Sequence, residues 1–158
     1  MFRQQRRFKQ ELSVEVARDL LESEKRAVLA MNGDDGYPYA IPVDYYYDRE
    51  SDKIYIHGAP AGHKYDSIKK DDKVCLNVYG DEEFRDGDWA PYLKSVVVFG
   101  RCRIIDDIDE IVAKAKPVGM KYYPTEESVD EILKDTAARL KIYEITIEHI
   151  SGKQVHEC

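Results

Sequence analysis

The chain has 158 residues, with 31 Asp and Glu against 24 Lys and Arg and a formal net charge of −7. Residues 1–158 are long enough for one domain, and a domain of this size buries roughly 68–70% of the surface its unfolded chain exposes, so disulfides and structural metals are not needed. A mean hydropathy of −0.58, with no apolar run near the roughly 20 residues needed to cross a bilayer, excludes a helical membrane span, and the acidic balance argues against the Lys- and Arg-driven binding of nucleic acid.

Residues 1–12 carry Arg3, Arg6, Arg7 and Lys9 without an apolar core of a signal peptide, which predicts a solvated basic arm. Ser13 precedes Val14, Ala17, Leu20 and Leu21 at helical spacing and can accept from the unpaired N–H groups of the first turn, so a helix is expected from Ser13 to about Glu24. From Arg26 the period falls to two: Ala27, Leu29 and Met31 share a face, and Asn32-Gly33-Asp34-Asp35-Gly36 supplies a hairpin turn. A second strand is expected from Tyr37 to Tyr47, in which Pro38 and Pro42 each remove a ladder donor, as at an edge or beside a ligand. Of Tyr45, Tyr46 and Tyr47, at least one must face away from the others, toward solvent or a partner.

After the turn Asp48–Asp52, the alternation of Lys53 to Gly58 predicts a third strand, followed by a loop of small residues, a short helix over His63–Lys70 and a strand over Val74–Tyr79. Asp81 to Asp88 reads as an acidic loop, and Tyr92–Ile105 as a long strand bent at Gly100. Ile108, Ile111, Val112 and Ala115 mark a helix that Pro117 is expected to kink or stop, and another helix begins near Thr125. Alternation returns in Ile142–Ile150, leaving 151–158 as a polar tail. About six strands with short connections and flanking helices predict a mainly β, α+β fold, an antiparallel barrel with peripheral helices.

The segment His57-Gly58-Ala59-Pro60-Ala61-Gly62-His63-Lys64 joins a strand to a helix start. Small residues there leave N–H groups uncovered, and Lys64, with His63, adds positive charge, a setting suited to phosphate. A plain turn with a solvated lysine and a capping histidine explains the same residues. Neither GxGxxG nor GxxxxGK[ST] occurs, so any phosphate affinity needs another device. No histidine or cysteine pair has the spacing of a closed zinc site, His156 and Cys158 falling on a frayed end, while Cys75 and Cys102 read as inert strand thiols. Three cysteines at wide spacing form no disulfide framework, and a reducing cytoplasm is the expected location.

The run HGAPAGHKYDSI, the strand pair LAMNGDDGYPYAIPVDYYYD with KIYIHG, and YLKSVVVFGRCRII together resemble the FMN-binding split-barrel proteins, specifically the pyridoxamine 5'-phosphate oxidase-like group that includes the nitroimidazole-resistance proteins. The resemblance implies a six-stranded antiparallel split barrel that forms a homodimer with FMN at the subunit interface. It implies that Ile41, Pro42, Val43 and Asp44 line the flavin ring, and that His57, Ala59, Gly62, His63 and Lys64 surround the phosphate. It also implies that Tyr92, Ser95 and Val96 approach the ring, from whichever subunit. Trp89 falls near the cleft rim by the same likeness, or serves as a loop anchor. No basic and aromatic cluster for a second phosphate is visible, which argues against oxidation of pyridoxamine phosphate. The expected activity is transfer of electrons from a reduced nicotinamide or other donor to a small acceptor such as a nitroaromatic. A flavin-carrying binding or sensing protein without turnover is the alternative, and a barrel that has lost its flavin is a third.

Overall fold

A computed structural model of the chain describes residues 1–155. Eight strands form one curled antiparallel sheet: β1 (Glu11–Leu12), β2 (Arg26–Asn32), β3 (Pro38–Asp44), β4 (Tyr46–Asp48), β5 (Lys53–Gly58), β6 (Lys73–Glu83), β7 (Tyr92–Ile105) and β8 (Lys141–Val155). Four helices flank it: α1 (Val14–Ser23), α2 (His63–Lys70), α3 (Ile108–Tyr122) and α4 (Glu126–Thr136). The strand order β3-β2-β6-β7-β8-β5-β4 leaves β3 and β4 at the ends, and β1 pairs with β8. Inward side chains such as Leu29, Leu76, Val98, Ile56 and Ile145 fill the barrel, and α1 adds Ala17, Leu20 and Leu21. This is the expected split barrel with peripheral helices, with eight strands among the described residues where six were expected: the arm adds the short β1, and the break at Tyr45 makes β4 separate from β3. Among the described residues no helix is long and apolar enough to cross a membrane.

Several expectations are corrected by tertiary contacts. The strand expected over Tyr37–Tyr47 is interrupted at Tyr45, whose N–H donates to the Tyr122 hydroxyl at 2.8 Å instead of to a strand. Tyr45 and Tyr47 are buried in the barrel core, while Tyr46 turns to a second core beneath α3 and α4. The acidic loop begins later than expected, since β6 runs through Glu83. Pro117 does not end α3: burial of Val118 and the anchoring of Tyr122 lie beyond it and outweigh the roughly 3 kcal/mol that an interior proline costs. Residues 151–155 of the expected tail continue β8, with Ser151, Gly152 and Val155 paired to Val97, Val96 and Leu93. The basic arm is not simply solvated either. Glu11 and Leu12 pair with Lys153 and Gly152, and the Phe2 ring stacks on His149 and Phe99 at 4.7 and 5.6 Å between centroids. His156 and Cys158 lie outside the described residues.

The end of α3 is tied back to the barrel by two residues. The Tyr122 hydroxyl lies 2.7 Å from the Lys25 carbonyl, and Lys121 Nζ donates to the Glu24 carbonyl at 2.5 Å while sitting 4.0 Å from the centre of the Tyr45 ring. Burial pulls the Lys121 ammonium down to about 8, although Glu24 and Asp44 pull it the other way. The unfolded chain therefore binds more protons at this residue between pH 8 and 10.5, so its contribution to stability rises with pH across that window. Urea denaturation at pH 8 and pH 9.5 should show this rise in the native protein relative to Lys121→Met. Equal pH slopes for the two proteins would contradict the burial of a charged lysine here.

Candidate functional site

The sheet is split between β3 and β5, and the opening is a cleft of about 370 Å³ lined by Arg26, Ile41, Pro42, Val43, Asp44, Ile56, His57 and Lys64. The cleft has three kinds of wall. The first is β3, an end strand with only β2 on its hydrogen-bonded side, so its other edge offers backbone groups with no strand to pair them. The second is the end of β5, where Ile56 points into the core and His57 into the cleft by simple strand alternation.

The third wall is the start of α2. Gly62 is its N-cap with φ 106°, a left-handed value that a side chain would strain, and no side chain caps the helix. The N–H groups of His63, Lys64 and Tyr65 consequently have no partner in the described chain, and the first intrahelical bond runs from Asp66 N–H to the Gly62 carbonyl. Lys64 Nζ lies 4.4 Å from the centre of the Tyr143 ring, and among the described residues no carboxylate is within ion-pair distance of it. Gly58 makes room for it, because a Cβ there would meet Nζ at 2.6 Å. Burial lowers the Lys64 pKa, yet with a start near 10.5 the group is the natural cation for an incoming anion.

The other charges of the cleft are already matched or absent. Arg26 pairs with Asp44 at 3.0 Å, directly across the β2–β3 ladder. His57 is held below its ordinary pKa, first by desolvation and then by Lys64, against the pull of Asp44, so it is neutral at pH 7. Among the described residues Lys64 is thus the cation of the cleft lining without an ion-pair partner, and it stands at the uncapped helix start.

The sequence-predicted residues do not all converge. Ile41, Pro42, Val43, Asp44, His57 and Lys64 line one cleft, and Ala59 and Gly62 form the loop beside it, with the Ala59 carbonyl accepting from the Tyr143 hydroxyl at 2.9 Å. The His63 imidazole leaves this group: it stacks on Tyr39 with ring centroids 3.9 Å apart and lies 3.6 Å from Asp34, at the β2–β3 hairpin. Only its backbone N–H remains at the helix start. Tyr92, Ser95 and Val96 lie on β7, separated from β3 by β6 and β2. The Val96 side chain is wholly buried, Ser95 pairs with Tyr79 and Lys153, and Tyr92 carries the Arg85 guanidinium over its ring at 3.9 Å. Trp89 is 77% exposed. Sequence reasoning missed Arg26 and Tyr122, whose roles follow from strand register and helix packing and have no local signature.

Cys102 is buried, and burial pushes its thiol up to about 12, while Cys75 shifts the same way. Both are therefore poor nucleophiles at neutral pH. Among the described residues no group of three or more His, Cys, Asp or Glu is placed to hold a metal ion.

The fold is that of a split barrel with its open seam between β3 and β5, and comparison with known proteins gives the family. A sequence model of the pyridoxamine 5'-phosphate oxidase family matches residues 13–154, and the chain belongs to that family. Comparison with curated proteins gave no match. Among solved structures, a proposed 5-nitroimidazole antibiotic resistance protein from Bacteroides thetaiotaomicron is similar over 91% of this chain and 86% of its own, with 15% identity and a TM-score of 0.75. A conserved hypothetical protein from Mycobacterium tuberculosis is similar over 95% and 90%, with 18% identity and a TM-score of 0.76. An FAD-binding protein from Mesorhizobium loti is similar over 92% and 97%, with 22% identity and a TM-score of 0.64.

Proposed function

We propose that the protein is an FMN-binding oxidoreductase that takes electrons from a reduced nicotinamide or other donor and passes them to a small acceptor such as a nitroaromatic. The observation that carries this reading is Lys64, a cation without a carboxylate partner among the described residues, set against the uncapped start of α2 at the open seam of the barrel. These residues fit a flavin phosphate: Lys64 and the N–H groups of His63, Lys64 and Tyr65 would hold it, with Ala59 and Gly62 leaving the approach open. The free edge of β3 over Ile41–Asp44 would hold the ring, and His57 would bound it as a neutral group. Bound flavin would supply a carrier for two electrons, which no side chain of the cleft can provide. The chain's own share is to orient that carrier, match its phosphate charge and keep water from its apolar side. A FAD-binding relative and the family itself support a flavin as the occupant.

The same reading takes the active form as a homodimer. Two successive rows on the outer face of the sheet, Pro42-Val28-Asn77-Val97-Ser151 and Ala40-Ala30-Cys75-Phe99-His149, contain no Asp, Glu, Lys or Arg. An outward sheet face normally alternates to charged and polar side chains for water, so this face is suited to a second copy. Ser95 lies beside these rows, and Tyr92 at the start of β7, so a second copy docked there would bring both toward the cleft that their own chain does not share with them. Ala30→Arg would place a charge at the centre of the face. It is expected to give a monomer in sedimentation and to lose flavin, and a flavin-loaded dimer from this variant would refute the shared site. The unpaired thiols Cys75 and Cys102 accord with action in the cytoplasm.

Mixing the flavin-loaded protein anaerobically with NADH or NADPH tests turnover. Bleaching of the flavin absorbance, restored by a nitroaromatic, is expected; a flavin that stays oxidised with both nicotinamides would favour the binding or sensing protein. His63→Ala should weaken FMN binding by less than threefold or so, because the imidazole is engaged by Tyr39 while the backbone N–H is retained, and a loss as large as that of a charged contact would move the side chain back into the phosphate site.

A further inference from the structure

A second cavity, of about 340 Å³, lies between α3 and α4 and adjoins the cleft: Asp44 and His57 line both. Its remaining wall is mainly apolar, with Val118 on α3 and Val129, Ile132 and Leu133 on α4, joined by the polar ends of Tyr122, Tyr123 and Thr136. We propose that this cavity binds the electron acceptor and selects an uncharged, mainly apolar aromatic molecule of one or two rings. The name acceptor rests on the flavin reading above; the ligand class rests on the cavity itself.

The argument is one of size and of unmatched charge. The volume is at the lower end of small-molecule sites, which run from roughly 300 to 1,000 Å³, and so suits one or two rings. No Lys or Arg lines the cavity. Its polar side chains are mostly committed elsewhere: the Tyr122 hydroxyl donates to the Lys25 carbonyl and accepts from the Tyr45 N–H, Thr136 Oγ1 donates to the Ile132 carbonyl at 2.7 Å, and Asp44 pairs with Arg26. A carboxylate, sulfonate or phosphate would lose its hydration, meet no cation on the cavity wall, where the nearby Arg26 is already paired with Asp44, and face that carboxylate. An uncharged ring would instead exchange water for the methyl groups of four aliphatic side chains. His57 and the Asp44–Arg26 pair stand where the cavity meets the cleft, so an uncharged occupant would reach the flavin side past an already matched charge, whereas an anion would meet the Asp44 carboxylate. The same features disfavour pyridoxamine phosphate as the substrate.

Methyl NMR of the full chain, with and without FMN, tests this with two matched probes, 4-nitrobenzyl alcohol and 4-nitrobenzoate. The alcohol should shift the methyl resonances of Val118, Val129 and Leu133, and the anion should bind at least tenfold more weakly. Ile132, 37% exposed at the cavity, can take an arginine without burying it, and Ile132→Arg should erase or reverse the preference for the alcohol. Equal binding of the two probes, shifts confined to other methyl groups, or a preference untouched by Ile132→Arg would overturn the proposal. A protein that ignores FMN yet discriminates the probes would instead refute the flavin reading and leave the ligand class standing.

Discussion

Replacing Lys64 by Ala should lower FMN affinity roughly ten- to a hundredfold, which corresponds to the about 1.5–3 kcal/mol of a hydrogen bond to a charged group. Riboflavin, which lacks the phosphate, should bind the native protein and the variant equally. The expectation follows from the setting of this ammonium: Arg26 already has Asp44, whereas among the described residues Lys64 has the face of the Tyr143 ring and no carboxylate. The backbone N–H groups of the α2 start persist in the variant, so binding should weaken without disappearing. Fluorescence quenching of both flavins against both proteins reads the difference directly. A variant that loses riboflavin as strongly as FMN would mean that Lys64 supports the cleft instead of holding the phosphate.

The second large effect is on stability. Gly100 is buried at the irregularity between Phe99 and Gly100, where β7 slips by one residue against β8. A Cβ at this position would lie 2.4 Å from the Thr146 carbonyl oxygen and 2.8 Å from Ile145 Cγ2. The nearest obstacle is backbone in a central pair of strands and cannot turn aside. Gly100→Ala is expected to destabilise the protein by about 3 kcal/mol, at the upper end of ordinary overpacking. At roughly 2–4 °C per kcal/mol for a chain of this size, the melting temperature should fall by about 6–12 °C. Gly87→Ala serves as the reference, since open space surrounds that position and only its positive φ opposes the substitution. Equal losses in the two variants would contradict the close passage of β8 over Gly100.

Most of the strands and helices were legible because their causes are local. Ser13 caps α1 by accepting from Val16 N–H at 3.3 Å, as its place before an apolar repeat predicted. The alternation of Lys53–Gly58 gave β5 with its bounds, and the glycine and small residues after it marked the loop that opens the α2 start. What was not legible depends on distant partners. Tyr45 leaves its strand because Tyr122, 77 positions away, accepts its N–H. The polar residues 151–155 are strand because β7 offers them a partner, which their composition cannot announce. His63 stood in the phosphate group by proximity to Lys64, but Tyr39 captures its ring from another strand. The cavity between α3 and α4 was invisible for the same reason: each helix shows an apolar face, and only their packing leaves a space beside His57.

The central claim, a phosphate-bearing flavin held at the seam between β3 and β5, is tested most directly by titrating flavin-free protein with FMN and with riboflavin and following the quenching of flavin fluorescence. Uptake of one FMN per chain, with an affinity for FMN at least tenfold above that for riboflavin, is the predicted result. No uptake, or equal affinity for the two, would contradict it.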